Sequence, residues 1–189
     1  MAISTLVVLA LLLVAVVYSI QIYNGLVRLK HNVARAWSNI DVALKQRHDE
    51  LPKLVEVCKQ YMGYERETLE RVVRARGTVS EASRRGDVRA LGAAETELRA
   101  GLGQLFALAE NYPALKANES FQNLSLRVSH LEDTIADRRE LYNDSVNLNN
   151  VRIEQFPDLI IARLMAARPF DLLEFKEARG DLDLKALFA

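Results

Sequence analysis

Residues 118–157 read NESFQNLSLRVSHLEDTIADRRELYNDSVNLNNVRIEQFP. Within them Phe121, Leu124, Val128, Leu131, Ile135, Arg138, Tyr142, Val146, Asn149, Ile153 and Phe156 recur at steps of three and four residues. That alternation is the buried seam of an α-helix with heptad-like spacing. Asn118 offers an N-capping side chain and Pro157 a stop. The stretch therefore predicts one long helix over residues 118–155.

The same period extends toward the N-terminus. Leu26, Leu29, Val33, Trp37, Ile40 and Leu44 share one stripe. A polar run from Lys45 to Glu50 comes next, then Leu51 and Pro52, and the stripe resumes with Leu54, Val55, Cys58, Tyr61 and Met62. Proline costs about 3 kcal/mol in a helix interior and little in a first turn. A break is the preferred reading, with Asp49 capping a new helix. The apolar phase crosses Pro52 almost unshifted, which favours the rival reading of a kinked continuous helix. Gly77 is the expected stop of the next helix, with residues 77–87 as a polar connection. Asp87 can cap a third helix bearing Val88, Leu91, Leu98, Leu102, Leu105 and Phe106, ended by Asn111-Tyr112-Pro113. Gly101 and Gly103 weaken its middle. No segment shows strand alternation between hairpin turns. The expected fold is all-α: an N-terminal transmembrane helix followed by an antiparallel up-and-down bundle of three or four long helices. Trp37, Ile40, Leu44, Leu54, Cys58, Leu102, Phe106, Leu131, Ile135 and Tyr142 are its expected core.

The transmembrane reading rests on the run from Ala2 to about Ile22, with the first charged side chain at Arg28. About 20 apolar residues in a helix cross a bilayer core. A cleaved signal peptide wants a basic n-region and a small-residue cleavage site, and neither is present. A lipoprotein signal wants a cysteine after the apolar run, and the single cysteine is Cys58. An uncleaved anchor over residues 1–22 is expected, then a bundle over 23–157, then a short amphipathic segment and tail over 158–189. Arg28, Lys30, His31 and Arg35 precede the first acid, Asp41, so the N-terminus is expected outside and the bundle in the cytoplasm. Residues 158–175, with Arg163 and Arg168, either cap the bundle or lie on an anionic membrane surface. Residues 176–189 read as loosely held.

Lys plus Arg and Asp plus Glu number 25 each, so nucleic acid is not an expected partner. One cysteine excludes an internal disulfide and a cysteine-based zinc site. His31, His48 and His130 fall in no metal-ligand spacing, and no metal or cofactor is expected. Gly101-Leu102-Gly103 lacks the strand and third glycine of a dinucleotide fingerprint. Cys58 reads as a small core hydrophobe. Glu65, Glu67 and Glu70 with Arg66, Arg71 and Arg74 read as a solvated helix face. The polar residues on the seams stand apart. Arg138 and Asn149 occupy places where Leu or Ile would pack. A buried Arg138 needs a carboxylate, with Asp41 the first choice and Asp49 or Glu50 the second.

Two blocks resemble the LemA family. One is YNGLVRLKHNVARAWSNIDVALKQRHDELPKLVEVCKQY, with Tyr23-Asn24, Ala36-Trp37-Ser38, Ile40-Asp41-Val42, Arg47, Asp49 and Pro52-Lys53-Leu54-Val55. The other is ENYPALKANESF with RRELYNDSVNLNNVRIEQFP, carrying Tyr142-Asn143 and Phe156-Pro157. Lys53 stands where the family commonly has Asn, and the C-terminal region matches least. The resemblance implies an N-terminal anchor, a cytoplasmic helical bundle of the bromodomain-like kind and, through relatives linked to magnetosome membranes, a membrane-organising role. It carries over no catalytic residues. The expected function is a membrane-anchored interaction or scaffold protein of a bacterial inner membrane, not an enzyme, with the lipid bilayer and a protein, or a second copy, as partners. The alternative is a hydrolase or ligand-binding sensor using Asp41, Arg47 and Arg138.

Overall fold

The computed structural model describes residues 2–175, so the tail expected to be loosely held, 176–189, lies outside the described residues. Regular structure among the described residues is entirely helical: α1 (Ala2–Tyr61), α2 (Arg66–Arg85), α3 (Val88–Ala109), α4 (Pro113–Lys116), α5 (Glu119–Glu154) and α6 (Asp158–Leu164). The chain divides into two compact units. One contains residues 2–39 and 140–172, the other 40–139 and 173–175.

The second unit is an up-down-up-down bundle of the C-terminal part of α1, α2, α3 and the N-terminal part of α5. Its cross-helix contacts give the directions. Ser83 donates to Asp41 and Arg76 to the His48 carbonyl, so residue numbers rise on α1 as they fall on α2. Arg71 donates to Gln104 and Tyr112 to Glu65, which sets α2 antiparallel to the chain through α3. Asn118 donates to Tyr61 and Arg127 to Glu50, which sets α5 antiparallel to α1. Of the ten expected core residues, Ile40, Leu44, Leu54, Cys58, Leu102, Ile135 and Tyr142 are buried, and Trp37, Phe106 and Leu131 are half-buried.

Two expected boundaries are corrected. Pro52 does not break α1, and Asp49 caps no new helix. Pro52 has no N–H to give the carbonyl four residues back, which is that of His48. Arg76 Nε on α2 donates to that carbonyl at 2.9 Å instead, and Arg76 Nη2 lies 2.7 Å from His48 Nε2. A neighbouring helix thus satisfies the acceptor that proline orphans. Arg76→Met should cost about 1–3 kcal/mol by stranding this carbonyl. The same change in a Pro52→Ala background should cost less, because the new N–H can take over. Denaturation of the four proteins of that cycle reads the coupling, and equal losses in both backgrounds would refute it.

Gly77 is likewise interior to α2, so residues 77–85 are helix rather than connection. The helix stops at Gly86, whose φ of 66° is the left-handed conformation glycine tolerates. Its N–H bonds the Ser83 carbonyl and the Asp87 N–H bonds that of Ala82. Asp87 then caps α3 as expected, accepting from the Ala90 N–H at 2.9 Å. Asn118 caps α5, accepting from the Phe121 N–H at 3.0 Å.

The first unit joins the N-terminal part of α1 to the end of α5 and to α6. Residues 2–21 are exposed throughout, and burial begins at Ile22. Ile22, Leu26, Ile153 and Ala162 form a small core with Ile161 and Met165 packed against it. Trp37 and Tyr142 meet at 5.5 Å between ring centroids, and Tyr142 donates to the Asp171 carbonyl. Asn150 grips the main chain of Phe170 in both directions. The segment 158–175 therefore begins as a two-turn helix and continues as an extended strap.

A buried ion network as the candidate functional site

Along α1, Ile40, Leu44, Leu51, Leu54 and Cys58 are buried, and Arg47 sits on the same seam. Along α3, Leu91, Leu98, Leu102 and Leu105 are buried with Glu95 between them. Helical periodicity thus drives one cation and one anion into the bundle. Arg47 is 1% exposed and Glu95 0%. Arg47 Nη2 pairs with Glu95 Oε1, and Arg47 Nη1 reaches Glu132 Oε1 on α5 at 2.6 Å. Glu132 Oε2 in turn lies 3.1 Å from Arg99 Nε on α3. Burial alone would lower the pKa of Arg47, but the carboxylates of Glu95 and Glu132 outweigh it and hold it above the ordinary value.

The network continues to the C-terminal segment. The guanidinium carbons of Arg99 and Arg139 lie 4.7 and 4.5 Å from the centre of the Phe175 ring. Two cations over one ring is cation–π geometry. The strap passes close to α3: a Cβ on Gly92 would collide with the Glu174 carbonyl oxygen, so only glycine admits this approach.

Chemically, the network has a buried end at Arg47 and Glu95 and a partly exposed end at Glu132 and Arg99. Two carboxylates each face a guanidinium, and neither Arg47 nor Glu95 is reachable by a substrate. Asp41, Arg47 and Arg138 have different surroundings. Asp41 is exposed and accepts from Ser83, Arg47 serves Glu95 and Glu132, and Arg138 is half-buried on α5. Glu50 takes Arg127 at 2.7 Å and Lys53 at 3.2 Å. The deeply buried guanidinium of the core is thus Arg47, not Arg138. Asn149 is buried as its seam position implies, and donates to Asn150. His31 and His130 are exposed. Cys58 is 0% exposed, and burial pushes its thiol up to about 11.

His48 is the titrating member of the set. Burial, then the cations Arg76 and Arg47, lower its pKa, against the opposing pull of Asp49. Above the ordinary histidine value of about 6.5 both folded and unfolded chains are neutral here. As pH falls below it, the unfolded chain takes the proton first, so stability declines until the folded value is passed. His48→Gln should remove that part of the decline. An unchanged pH–stability slope in the variant would assign it elsewhere.

A bundle with a buried arginine–glutamate pair, led by a helix long and apolar enough to cross a membrane, belongs to the class of anchored helical proteins. Within that class, the chain belongs to the LemA family, whose model matches residues 36–185. It is 23% identical to Magnetosome protein MamQ 2 and to Magnetosome protein MamQ 1 of Paramagnetospirillum magneticum, over 84% of this chain and 66% of theirs. Magnetosome protein MamQ of Magnetospirillum gryphiswaldense matches with the same identity and coverage. The chain thus spans just under two thirds of the length of these relatives.

Proposed function

We propose that this protein is a single-pass, membrane-anchored scaffold of a bacterial inner membrane, with its N-terminus outside and its bundle in the cytoplasm. The observation that carries the reading is α1. It is one helix that begins as an apolar segment exposed over residues 2–21 and ends in a bundle whose buried Arg47 is paired with Glu95 and Glu132. Arg28, Lys30 and Arg35 come after the span and favour retention of that side in the cytoplasm. That its relatives are named as magnetosome proteins supports a place in an assembly rather than a catalytic role.

A fusion of alkaline phosphatase after Ala189 should be inactive, and a cytoplasmic reporter at the same place active. The reverse pattern overturns the orientation. Release of the full chain from membranes by alkaline carbonate overturns the anchor. Crosslinking in native membranes should give discrete protein adducts, and a protein that stays wholly monomeric there is not a scaffold.

A further inference from the structure

α6 carries apolar surface on two sides. One side is used: Ala162 belongs to the core with Ile22, Leu26 and Ile153. The other is not. Phe156, just before the helix, is 82% exposed, Ile160 53% and Leu164 80%. Ile160 and Leu164 are one turn apart and share a face. Asp158 opens the helix with a buried carboxylate that pairs with the exposed Arg152 of α5, which ties its start in place.

The neighbours of α6 identify its cover. Ile161, Leu164 and Met165 line a shallow groove of about 500 Å³ together with Leu12, Val16 and Ile20 of α1. Those α1 residues lie in the apolar segment that the proposed function places across the bilayer. A side chain that shares a groove with them shares their depth, and at that depth the surroundings are acyl chains. An exposed Leu164 is unfavourable in water and favourable there. The charges agree. Arg163 closes the helix and Arg168 lies just beyond it, and long basic side chains next to hydrocarbon reach back to anionic headgroups.

We propose that α6, with Phe156 before it, is embedded in the interface of the same membrane that α1 crosses. Its Phe156, Ile160 and Leu164 side faces lipid, and Arg163 and Arg168 contact headgroup phosphates. The inference rests on the anchor reading of α1. It makes the attachment two-point: a spanning helix and an interfacial one, joined by the small core at Ile22 and Ala162.

The test uses the full chain in nanodiscs of phosphatidylethanolamine and phosphatidylglycerol. Cys58 can remain, because a thiol that is fully buried and raised to about 11 does not compete for the label. Leu164→Cys, Leu12→Cys and Asn147→Cys variants each carry a bimane fluorophore, all at exposed positions. Lipids brominated on the acyl chain serve as the quencher. The expected result is loss of fluorescence at both 164 and 12, and none at 147. Quenching at 12 but not at 164 overturns the proposal and leaves the anchor standing. Disulfide-linked dimers of the unlabelled Leu164→Cys protein with that pattern would show a second copy in place of lipid. Quenching at neither position overturns the proposal together with the anchor.

Discussion

Replacing Arg47 by alanine should destabilise the folded protein by about 3–5 kcal/mol, a large share of the 5–15 kcal/mol typical of a domain. The size reflects the group left behind. Glu95 is fully buried, and Arg47 is its ion-pair partner on another helix. Its second oxygen, Oε2, has no hydrogen-bond partner among the described residues. Without Arg47 the carboxylate must stay charged in an apolar layer, take up a proton, or open the bundle. Glu132 is better placed, because Arg99 remains at 3.1 Å. The penalty should therefore fall mainly on Glu95. Arg47→Met combined with Glu95→Leu removes both charges and keeps apolar volume on both helices, and should recover much of the loss. Denaturant unfolding of the full-length protein in detergent, with Trp37 fluorescence as the signal, measures each variant. A loss below about 1 kcal/mol for Arg47→Ala would mean that the pair carries no weight in the core.

The network was within reach of the sequence and was obscured by composition. Arg47 lies in a run of six polar residues, Lys45 to Glu50, which reads as a connection when taken by content. Taken by phase, positions 40, 44, 47, 51, 54 and 58 form one seam with a single polar member. Glu95 is hidden in the same way between Leu91 and Leu98. The seam of α5 was visible because its polar members, Arg138 and Asn149, are isolated among apolar ones. Yet Arg138 is only half-buried, since a seam position at the edge of a wide face can be partly open. Periodicity gives the face of a helix and not the depth at which its neighbour covers it.

The two misplaced boundaries have one cause. Pro52 and Gly77 are strong local signals, worth about 3 and about 1 kcal/mol against a helix. Local signals lose when tertiary contacts supply more. Arg76 restores the partner that Pro52 removes, and α2 continues past Gly77 through buried Val79 and Ala82. Gly86 does end the helix, and the difference lies in the residues on its C-terminal side. Asp87 can cap the next helix, whereas Gly77 is succeeded by Thr78, Val79 and Ser80 on the same face pattern. The direction of the chain at Gly86 depends on a left-handed residue, and this is legible only when the stop and the next start are read together.

The seam of α5 supplies a comparison in which helix propensity cancels. Ile135 and Leu131 are one turn apart, both within one long helix, and both expected from spacing alone to be core. The structure separates them: Ile135 is 0% exposed, whereas Leu131 is half-buried. Truncation to alanine improves intrinsic helix propensity slightly at either site, so any loss must come from packing. Ile135→Ala removes three buried carbons and leaves a cavity lined by neighbours that can only partly close on it, and should cost about 2–5 kcal/mol. Leu131→Ala gives up contact on one side only, since its other side already meets water, and should cost roughly half as much or less. Unfolding midpoints of the two variants, read with unchanged denaturant dependence, order the sites directly. Equal losses would place the buried edge of the helix midway between them. A larger loss at Leu131 would turn α5 about its axis relative to the rest of the bundle and would move Glu132 away from Arg47.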